Sequence, residues 1–214
     1  MHAFILAGGL GTRLRPYTHS IPKPLMPLGN HPIIDILLHK LAACGVKRVT
    51  LSLGYLAPIM SAFVRDGSSW GLEIETVEES SPLGTAGPLL LGKSLPENFL
   101  LINGDTLTDL NFADLMKDHV ANAAEITIFG PTVEMKVDYG VLVFDQASGA
   151  LTDYVEKPRH VLRVSSGIYA LSRNALRYIP AGQKFDMPDL VRAAMADRAK
   201  IVVRSRLRER ALAH

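Results

Sequence analysis

Apolar positions in the first 122 residues alternate between the period of a buried strand and the period of an amphipathic helix. Short apolar or β-branched runs predict strands at 3–6, 46–53, 72–77 and 99–102. Apolar residues three or four positions apart predict helices at 32–43, 57–64, 83–91 and 111–122. Because strands and helices alternate, we expect an α/β fold with a mostly parallel sheet that is covered on both faces.

The pattern changes after residue 122. Strand-like runs at 125–130, 140–144, 151–156 and 164–171 follow one another with little helix between them. We therefore predict one domain over residues 1–203, whose later part adds antiparallel strands to the sheet. Residues 204–214 read RSRLRERALAH and are interpreted as an atypical basic tail.

Composition narrows the class of protein. The chain has 214 residues, of which 48% are hydrophobic, and no apolar run approaches the roughly 20 residues of a membrane span. The beginning MHAFILAGG lacks the features of a secretory signal, so we expect a cytoplasmic protein that does not bind a membrane. The formal charge of +2 is too small to indicate a nucleic-acid partner, and the only cysteine, Cys44, excludes an internal disulfide.

A glycine-rich turn follows the first predicted strand. The segment LAGGLGTRLRPYT, residues 6–18, lets bare backbone N–H groups approach phosphate oxygens, and Arg13 and Arg15 place guanidinium groups beside them. The segment matches neither a P-loop nor a Rossmann fingerprint. Lys23 then stands between two prolines that restrict the backbone, which favours a second phosphate contact. The alternative for the glycines alone is a tight turn with no ligand.

Five motifs in order carry a family resemblance. LAGGLGTRL, PKPLMPL, PLGTAGP, NGD and EKP together resemble the sugar-1-phosphate nucleotidyltransferases, nearest to the mannose-1-phosphate guanylyltransferase-like branch, over residues 1–203. The resemblance implies a Rossmann-like three-layer α/β/α nucleotidyltransferase fold with a mixed, mostly parallel sheet. It also implies a transferase that joins a nucleoside monophosphate from an NTP to a sugar 1-phosphate and releases pyrophosphate.

The resemblance assigns a nucleotide site. It implies that the glycine-rich loop surrounds the triphosphate while Arg13 and Lys23 neutralise its charge. A carboxylate at Glu79 can only accept hydrogen bonds, which suits the N1–H and amine of guanine and favours GTP. Alternatively, Glu78 takes this role, or Glu79 is a solvated side chain. The nucleotide-binding residues implied are Leu6, Ala7, Gly8, Gly9, Gly11, Thr12, Arg13, Lys23, Glu79, Pro82, Gly84 and Asp105.

A divalent cation is expected because the attacking and leaving groups are both anionic. Asp105 follows the predicted strand 99–102, and the resemblance makes it the Mg²⁺ ligand. Together with Arg13 and Lys23 it forms the expected catalytic set. The alternative for Asp105 is a helix N-cap or a turn aspartate, and Asp109 suits the cap better.

The second half of the chain is expected to bind the sugar 1-phosphate, mannose 1-phosphate being favoured. The resemblance implies that a glutamate contacts sugar hydroxyls and a lysine contacts the phosphate. The alternative for Glu156 and Lys157 is a pair of exposed charges at a strand end. The residues concerned are Tyr139, Gly140, Glu156, Lys157, Ser165 and Gly167, and many relatives have asparagine where Ser165 stands.

The chain departs from the family after Val203. Family members continue with a strand and a motif resembling GYWLDIGTP that carries a second metal carboxylate, and RSRLRERALAH contains no such pattern. We therefore expect weakened catalysis. Two alternatives stay open: a catalytically silent module that binds nucleotide sugars, and a uridylyltransferase for another sugar. The resemblance also implies a homo-oligomer.

Overall fold

A seven-stranded mixed sheet forms the centre of the molecule. The computed structural model describes residues 1–205. The strands of this sheet and of three small two-stranded sheets are β1 (His2–Leu6), β2 (Pro27–Leu28), β3 (His31–Pro32), β4 (Arg48–Leu53), β5 (Glu73–Glu78), β6 (Asn98–Asn103), β7 (Ile126–Phe129), β8 (Thr132–Lys136), β9 (Val141–Phe144), β10 (Leu151–Val155), β11 (Arg159–Arg163), β12 (Ile168–Ser172) and β13 (Ile201–Arg204).

The order of strands in the sheet is β13-β7-β12-β6-β1-β4-β5. β1 pairs in parallel with both β4 and β6, and β5 continues the parallel set beyond β4. β12 runs antiparallel between β6 and β7, and β13 pairs in parallel with β7. The α/β class and the mixed, mostly parallel sheet predicted from the sequence are confirmed.

Helices cover both faces of the sheet, as the predicted three-layer architecture requires. The helices are α1 (Ile33–Ala43), α2 (Ala57–Val64), α3 (Phe112–Ala121) and α4 (Met187–Ala196). Apolar residues of α1, α2 and α3 pack with Ala3 and Ile5 in one core, whereas α4 packs with Phe4 in the other. Successive residues of β1 therefore point to opposite faces, as the geometry of a strand dictates.

Two expectations about helices are corrected. The stretch 83–91 is not a helix: residues up to Ala86 form a loop, and only a 3₁₀ segment, Gly87–Leu91, follows. The N-cap of α3 is Asn111, whose side-chain oxygen accepts from the N–H groups of Ala113 and Asp114, and not Asp109. At the start of α4, Asp186 and Asp189 form a capping box.

Residues 132–163 form an arm outside the central sheet. β8 pairs with β11 and β9 pairs with β10, each as a two-stranded antiparallel sheet. The predicted antiparallel strands are therefore present, but β8 and β11 were not predicted, and the predicted strand 164–171 begins only at Ile168.

The last strand crosses the boundary predicted between the domain and its basic tail. β13 extends to Arg204, one residue into the basic tail expected for 204–214, and residues 206–214 of that tail lie outside the described part of the chain. Among the described residues, no helix has the length and apolar character needed to cross a membrane.

Candidate active site

Two cavities meet at the carboxyl ends of β1 and β6. From β1 the chain crosses to β4 on one side, while β6 lies on the other, so this point is a topological switch of the sheet. Ligands of open α/β sheets bind at such a crevice. Asn103 and Asp105 line both cavities, and the N–H of Gly104 donates to the carbonyl of Leu6 at 2.8 Å. The two cavities therefore share one wall at the end of β6.

The first cavity runs along the ends of four neighbouring strands. Its volume is about 750 Å³, within the range of small-molecule sites. Residues following β6, β1, β4 and β5 line it in that spatial order, and three strand spacings span about 14 Å. Every residue that the sequence predicted for the nucleotide site lies in its wall: Leu6, Ala7, Gly8, Gly9, Gly11, Thr12, Arg13, Lys23, Glu79, Pro82, Gly84 and Asp105.

The glycine-rich loop is held by close backbone packing. Gly11 has a φ of +58°, and a Cβ added there would lie 2.8 Å from the Cγ2 of Thr18. The hydroxyl of buried Thr18 donates to the carbonyl of Gly11 at 3.0 Å. Because a side chain at position 11 would collide with this contact, glycine is needed for the loop to reach its present shape.

A lysine and a carboxylate meet where the two cavities join. Lys23 stands between the buried Pro22 and Pro24, and its Nζ forms an ion pair with Oδ2 of Asp105. The two side chains retain 38% and 30% of their exposure, so both are open to a ligand. This pair places one positive and one negative group beside any phosphate that enters either cavity.

Glu79 bonds to the protein as well as facing the cavity. Its Oε1 accepts from the hydroxyl of Ser52 at 3.0 Å, and its Oε2 accepts from the N–H of Leu83 at 3.0 Å. Each carboxylate oxygen has a second lone pair and can accept again. Glu78 ends β5, is exposed and does not line the cavity. Of the two glutamates weighed for base reading, Glu79 is the one at the site.

Loop 79–87 is fastened to the start of α4 by a set of hydrogen bonds that we call the clamp. The N–H of Thr85 donates to Oδ1 of Asp186 at 2.9 Å, and the N–H of Met187 donates to the hydroxyl of Thr85 at 2.8 Å. The carbonyl of Phe185 accepts from two backbone N–H groups of the loop, those of Ala86 and Gly87. α4 therefore fixes one wall of the first cavity.

The second cavity lies beside the first and has a volume of about 920 Å³. Polar side chains that line it come from the end of β6 and the segment after it, from the start of β8, from the segment before β12 and from the residue after β13. They are Asn103, Asp105, Thr106, Thr108, Asp109, Thr132, Ser166 and Ser205. Hydroxyl, amide and carboxylate groups of this kind match a polyhydroxylated ligand.

The residues predicted for the sugar are only partly brought to this cavity. Gly167 is buried, and its Cα lies close to the side chain of Asn103. The carbonyl of Gly167 accepts a hydrogen bond from the backbone N–H of Asn103 at 3.0 Å. The hydroxyl of Ser165 bonds to that of Tyr169 at 2.8 Å. Neither residue is among those that line the cavity, whereas the adjacent Ser166 is.

The remaining four lie on the arm and line neither cavity. Tyr139 is 79% exposed, and Gly140 lies against the hydroxyl end of Tyr154. The same hydroxyl donates to Glu156 at 3.1 Å, and the Nζ of Lys157 lies 3.9 Å from the Glu156 carboxylate. Contact of Tyr139, Gly140, Glu156 and Lys157 with a sugar phosphate stays a prediction.

Several residues of the first cavity were not predicted from the sequence. Gly54 permits close approach of the chain to Gly8, because a Cβ at position 54 would lie 2.9 Å from the Gly8 carbonyl oxygen. Tyr55, Thr85 and Lys184 also line this cavity. Gly54 follows a predicted strand, which is a usable signal, but nothing in the sequence near Lys184 indicates a ligand.

Comparison with known proteins identifies the family. The nucleotidyl transferase family model matches residues 2–203. The chain belongs to this family, and the predicted resemblance is confirmed.

Relatives with curated names narrow the comparison. The chain is 38% identical over 186 residues to a mannose-1-phosphate guanyltransferase of Yarrowia lipolytica, covering 84% of this chain and 51% of the relative. It is equally identical over 186 residues to the mannose-1-phosphate guanylyltransferase catalytic subunit beta of Danio rerio, covering 84% and 52%. The chain thus spans about half the length of the curated relatives it matches.

Solved structures of similar size share the fold. HddC from Yersinia pseudotuberculosis is 26% identical, with a TM-score of 0.70 over 95% of this chain and 89% of that one. The structure of HddC complexed with GMP-PN is 27% identical, with a TM-score of 0.68 over 95% and 90%.

Proposed function

We propose that this chain transfers GMP from GTP to mannose 1-phosphate, giving GDP-mannose and pyrophosphate. The observation that carries the proposal is the pair of adjacent cavities that share Asn103 and Asp105. Transfer between two bound substrates requires two neighbouring sites with the reacting atoms at their junction. The names of the curated relatives support the choice of guanine and mannose, and the GMP-PN complex of HddC supports nucleotide binding.

The reaction needs positioning and charge neutralisation, and no covalent enzyme intermediate. A phosphate oxygen of the sugar 1-phosphate attacks the α-phosphorus of GTP and forms a new P–O bond. The bond from the α-phosphorus to the bridging oxygen breaks in line, and pyrophosphate leaves with the electron pair. Because the sugar phosphate attacks as an anion, no general base is required. Arg13 and Lys23 neutralise charge on the phosphates, and the backbone N–H groups of residues 8–11 hold them.

The residues present fit a magnesium ion that is bound jointly with substrate phosphates. Among residues 1–205 no group of three or more His, Cys, Asp or Glu side chains could hold a metal by itself. Mg²⁺ accepts one or two carboxylates together with phosphate oxygens and water, so Asp105 at the junction suffices as a protein ligand. When bound there, the ion would supply further positive charge to the phosphates. The Lys23–Asp105 pair keeps the carboxylate at the junction in its absence.

Pyrophosphate release by the purified chain tests the proposal. GTP, UTP, CTP and dTTP are each combined with the 1-phosphates of mannose, glucose and N-acetylglucosamine in the presence of magnesium. Asp105→Asn removes the charge and keeps the shape of the side chain, and Asp109→Asn is the matched control in the second cavity. We expect release with GTP and mannose 1-phosphate, a loss of about 100-fold or more in Asp105→Asn and a smaller loss in the control.

The other outcomes are equally informative. Release with UTP and another sugar 1-phosphate would replace the proposed substrates and keep the reaction type. GTP binding measured by calorimetry without any pyrophosphate release would overturn catalysis and favour the silent nucleotide-binding module. The cytoplasmic location and the homo-oligomer expected from the sequence stay predictions.

A further inference from the structure

Lys184 lines the nucleotide cavity and has no part in the chemistry described above. Its side chain is exposed and makes no ion pair with any residue from 1 to 205.

The clamp fixes the backbone at Lys184 beside loop 79–87. On one side, the N–H of Phe185 donates to the carbonyl of Leu83 at 2.9 Å. On the other side, the carbonyl oxygen of Gln183 lies 3.2 Å from where a Cβ at Gly87 would be. Both neighbours of Lys184 therefore contact the loop, and the lysine projects from a backbone whose place relative to the cavity wall is set.

The charged side chains that line the cavity fall into two groups. Arg13, Lys23 and Asp105 belong to the end with the glycine-rich loop, where a triphosphate finds N–H donors and cations. The nucleoside must then extend past Gly8 toward loop 79–87, because Glu79, whose Oε1 would lie 2.7 Å from a Cβ at Gly8, and Lys184 are the other charged side chains of the lining. One of them accepts hydrogen bonds only, and the other donates only.

We propose that Lys184 reads the base by donating to O6 of guanine, while Glu79 accepts from N1–H and the amine. The inference rests on the proposed function and names a further specificity determinant for the same site. At position 6 guanine presents an acceptor, O6, whereas adenine presents an amine donor; N7 is an acceptor in both bases and does not distinguish them. A lysine at this place therefore favours GTP over ATP. Glu79 alone can distinguish the two bases only at N1–H and the amine of guanine.

Direct binding of GTP, ITP and ATP, measured by calorimetry without sugar phosphate, tests this role. The variants are Lys184→Met, Lys184→Arg and Lys184→Glu, with Lys117→Met on the exposed face of α3 as the matched control. ITP keeps O6, N7 and N1–H but lacks the amine, so it separates the lysine contact from part of the Glu79 contact.

We expect Lys184→Met to weaken GTP and ITP by about tenfold or more and to leave ATP nearly unchanged. Lys184→Arg should retain the preference for GTP, Lys184→Glu should shift it toward ATP, and Lys117→Met should change nothing. An equal loss for all three nucleotides would overturn base reading and indicate a ribose or phosphate contact. Unchanged GTP affinity would refute the inference alone, and failure of the wild type to bind any nucleotide would refute the proposed function as well.

Discussion

Replacing Gly84 by alanine should destabilise the fold in two ways, through the left-handed backbone conformation and through a steric clash of the new Cβ. Gly84 has a φ of +82°, and an added Cβ would lie 2.6 Å from the carbonyl oxygen of Phe185 and 2.7 Å from Oδ1 of Asp186. Gly182 has a φ of +70°, and a Cβ there would meet nothing within 4 Å. Gly182→Ala therefore carries the conformational cost alone and is a matched control.

The expected magnitudes follow from this difference. The left-handed conformation costs alanine about 1–2 kcal/mol in either variant. In Gly84→Ala the loop must also move away from Phe185 and Asp186, which strains or breaks the clamp. The loss of two or three of its hydrogen bonds, at about 1 kcal/mol each, brings the total to roughly 3–5 kcal/mol. We expect GTP affinity to fall with it, because loop 79–87 forms a wall of the nucleotide cavity.

Urea denaturation measures the free energy of unfolding, and calorimetry with GTP measures the affinity. Gly182→Ala should lose about 1–2 kcal/mol of stability and keep its affinity for GTP. If the two variants lose the same stability and both bind GTP normally, the clamp does not shape the cavity and the reasoning is refuted. If Gly84→Ala keeps its stability but loses GTP binding, the loop has detached locally without weakening the rest of the fold.

Three further predictions concern the junction and the buried histidines. Lys23→Met removes the partner of the Asp105 carboxylate and a phosphate-neutralising charge, so we expect the rate of pyrophosphate release to fall about 100-fold while the melting temperature changes little. Gly167→Ala pushes against the side chain of Asn103 and imposes alanine at a φ of +76°, so transfer should fall more than GTP binding does, as kinetics and calorimetry on the same sample would show. Burial lowers the pKa of both His2 and His119 below the ordinary value of 6.5, so the unfolded chain binds more protons than the folded one as the pH falls below about 6.5. Stability should therefore decrease from pH 7.5 to pH 5, and a melting temperature that is constant over this interval in calorimetric scans would contradict the buried neutral imidazoles.

The parallel half of the fold could be predicted from the sequence because its strands and helices have different spacings of apolar residues. Strands buried on both faces appear as continuous apolar runs, and helices with one buried face show apolar residues three or four positions apart. Helix 57–64 was predicted with its exact bounds. The stretch 83–91 has comparable apolar content but packs through a loop clamped to α4, a contact across about 100 residues of sequence that no local pattern contains.

The lining of the first cavity was also more predictable from the sequence than the lining of the second cavity. Glycines next to a strand end and a lysine between two prolines carry constraints that can be recognised locally. For the second cavity, two adjacent serines, Ser165 and Ser166, cannot be distinguished by sequence. Ser166 lines the second cavity, and its hydroxyl donates to the carbonyl of Phe129 at 2.8 Å, a contact between distant parts of the chain. Asp109 was interpreted as a helix cap from its sequence neighbours. In the structure it lines the second cavity, beside residues that are distant in the sequence.

The clamp and the junction of the two cavities are connected through one packed core. β6 carries Asp105 to the junction, and α4 packs on the same sheet through Met187 and Leu190 in the core that contains Phe99 and Leu101 of β6. The start of α4 holds loop 79–87, which forms one wall of the first cavity. The distance between the base end and the reacting phosphate is therefore set by one packed core, and a base that fits loop 79–87 poorly should displace the α-phosphorus from Asp105. Selection of the base would then appear in the rate of transfer as well as in the affinity for the nucleotide.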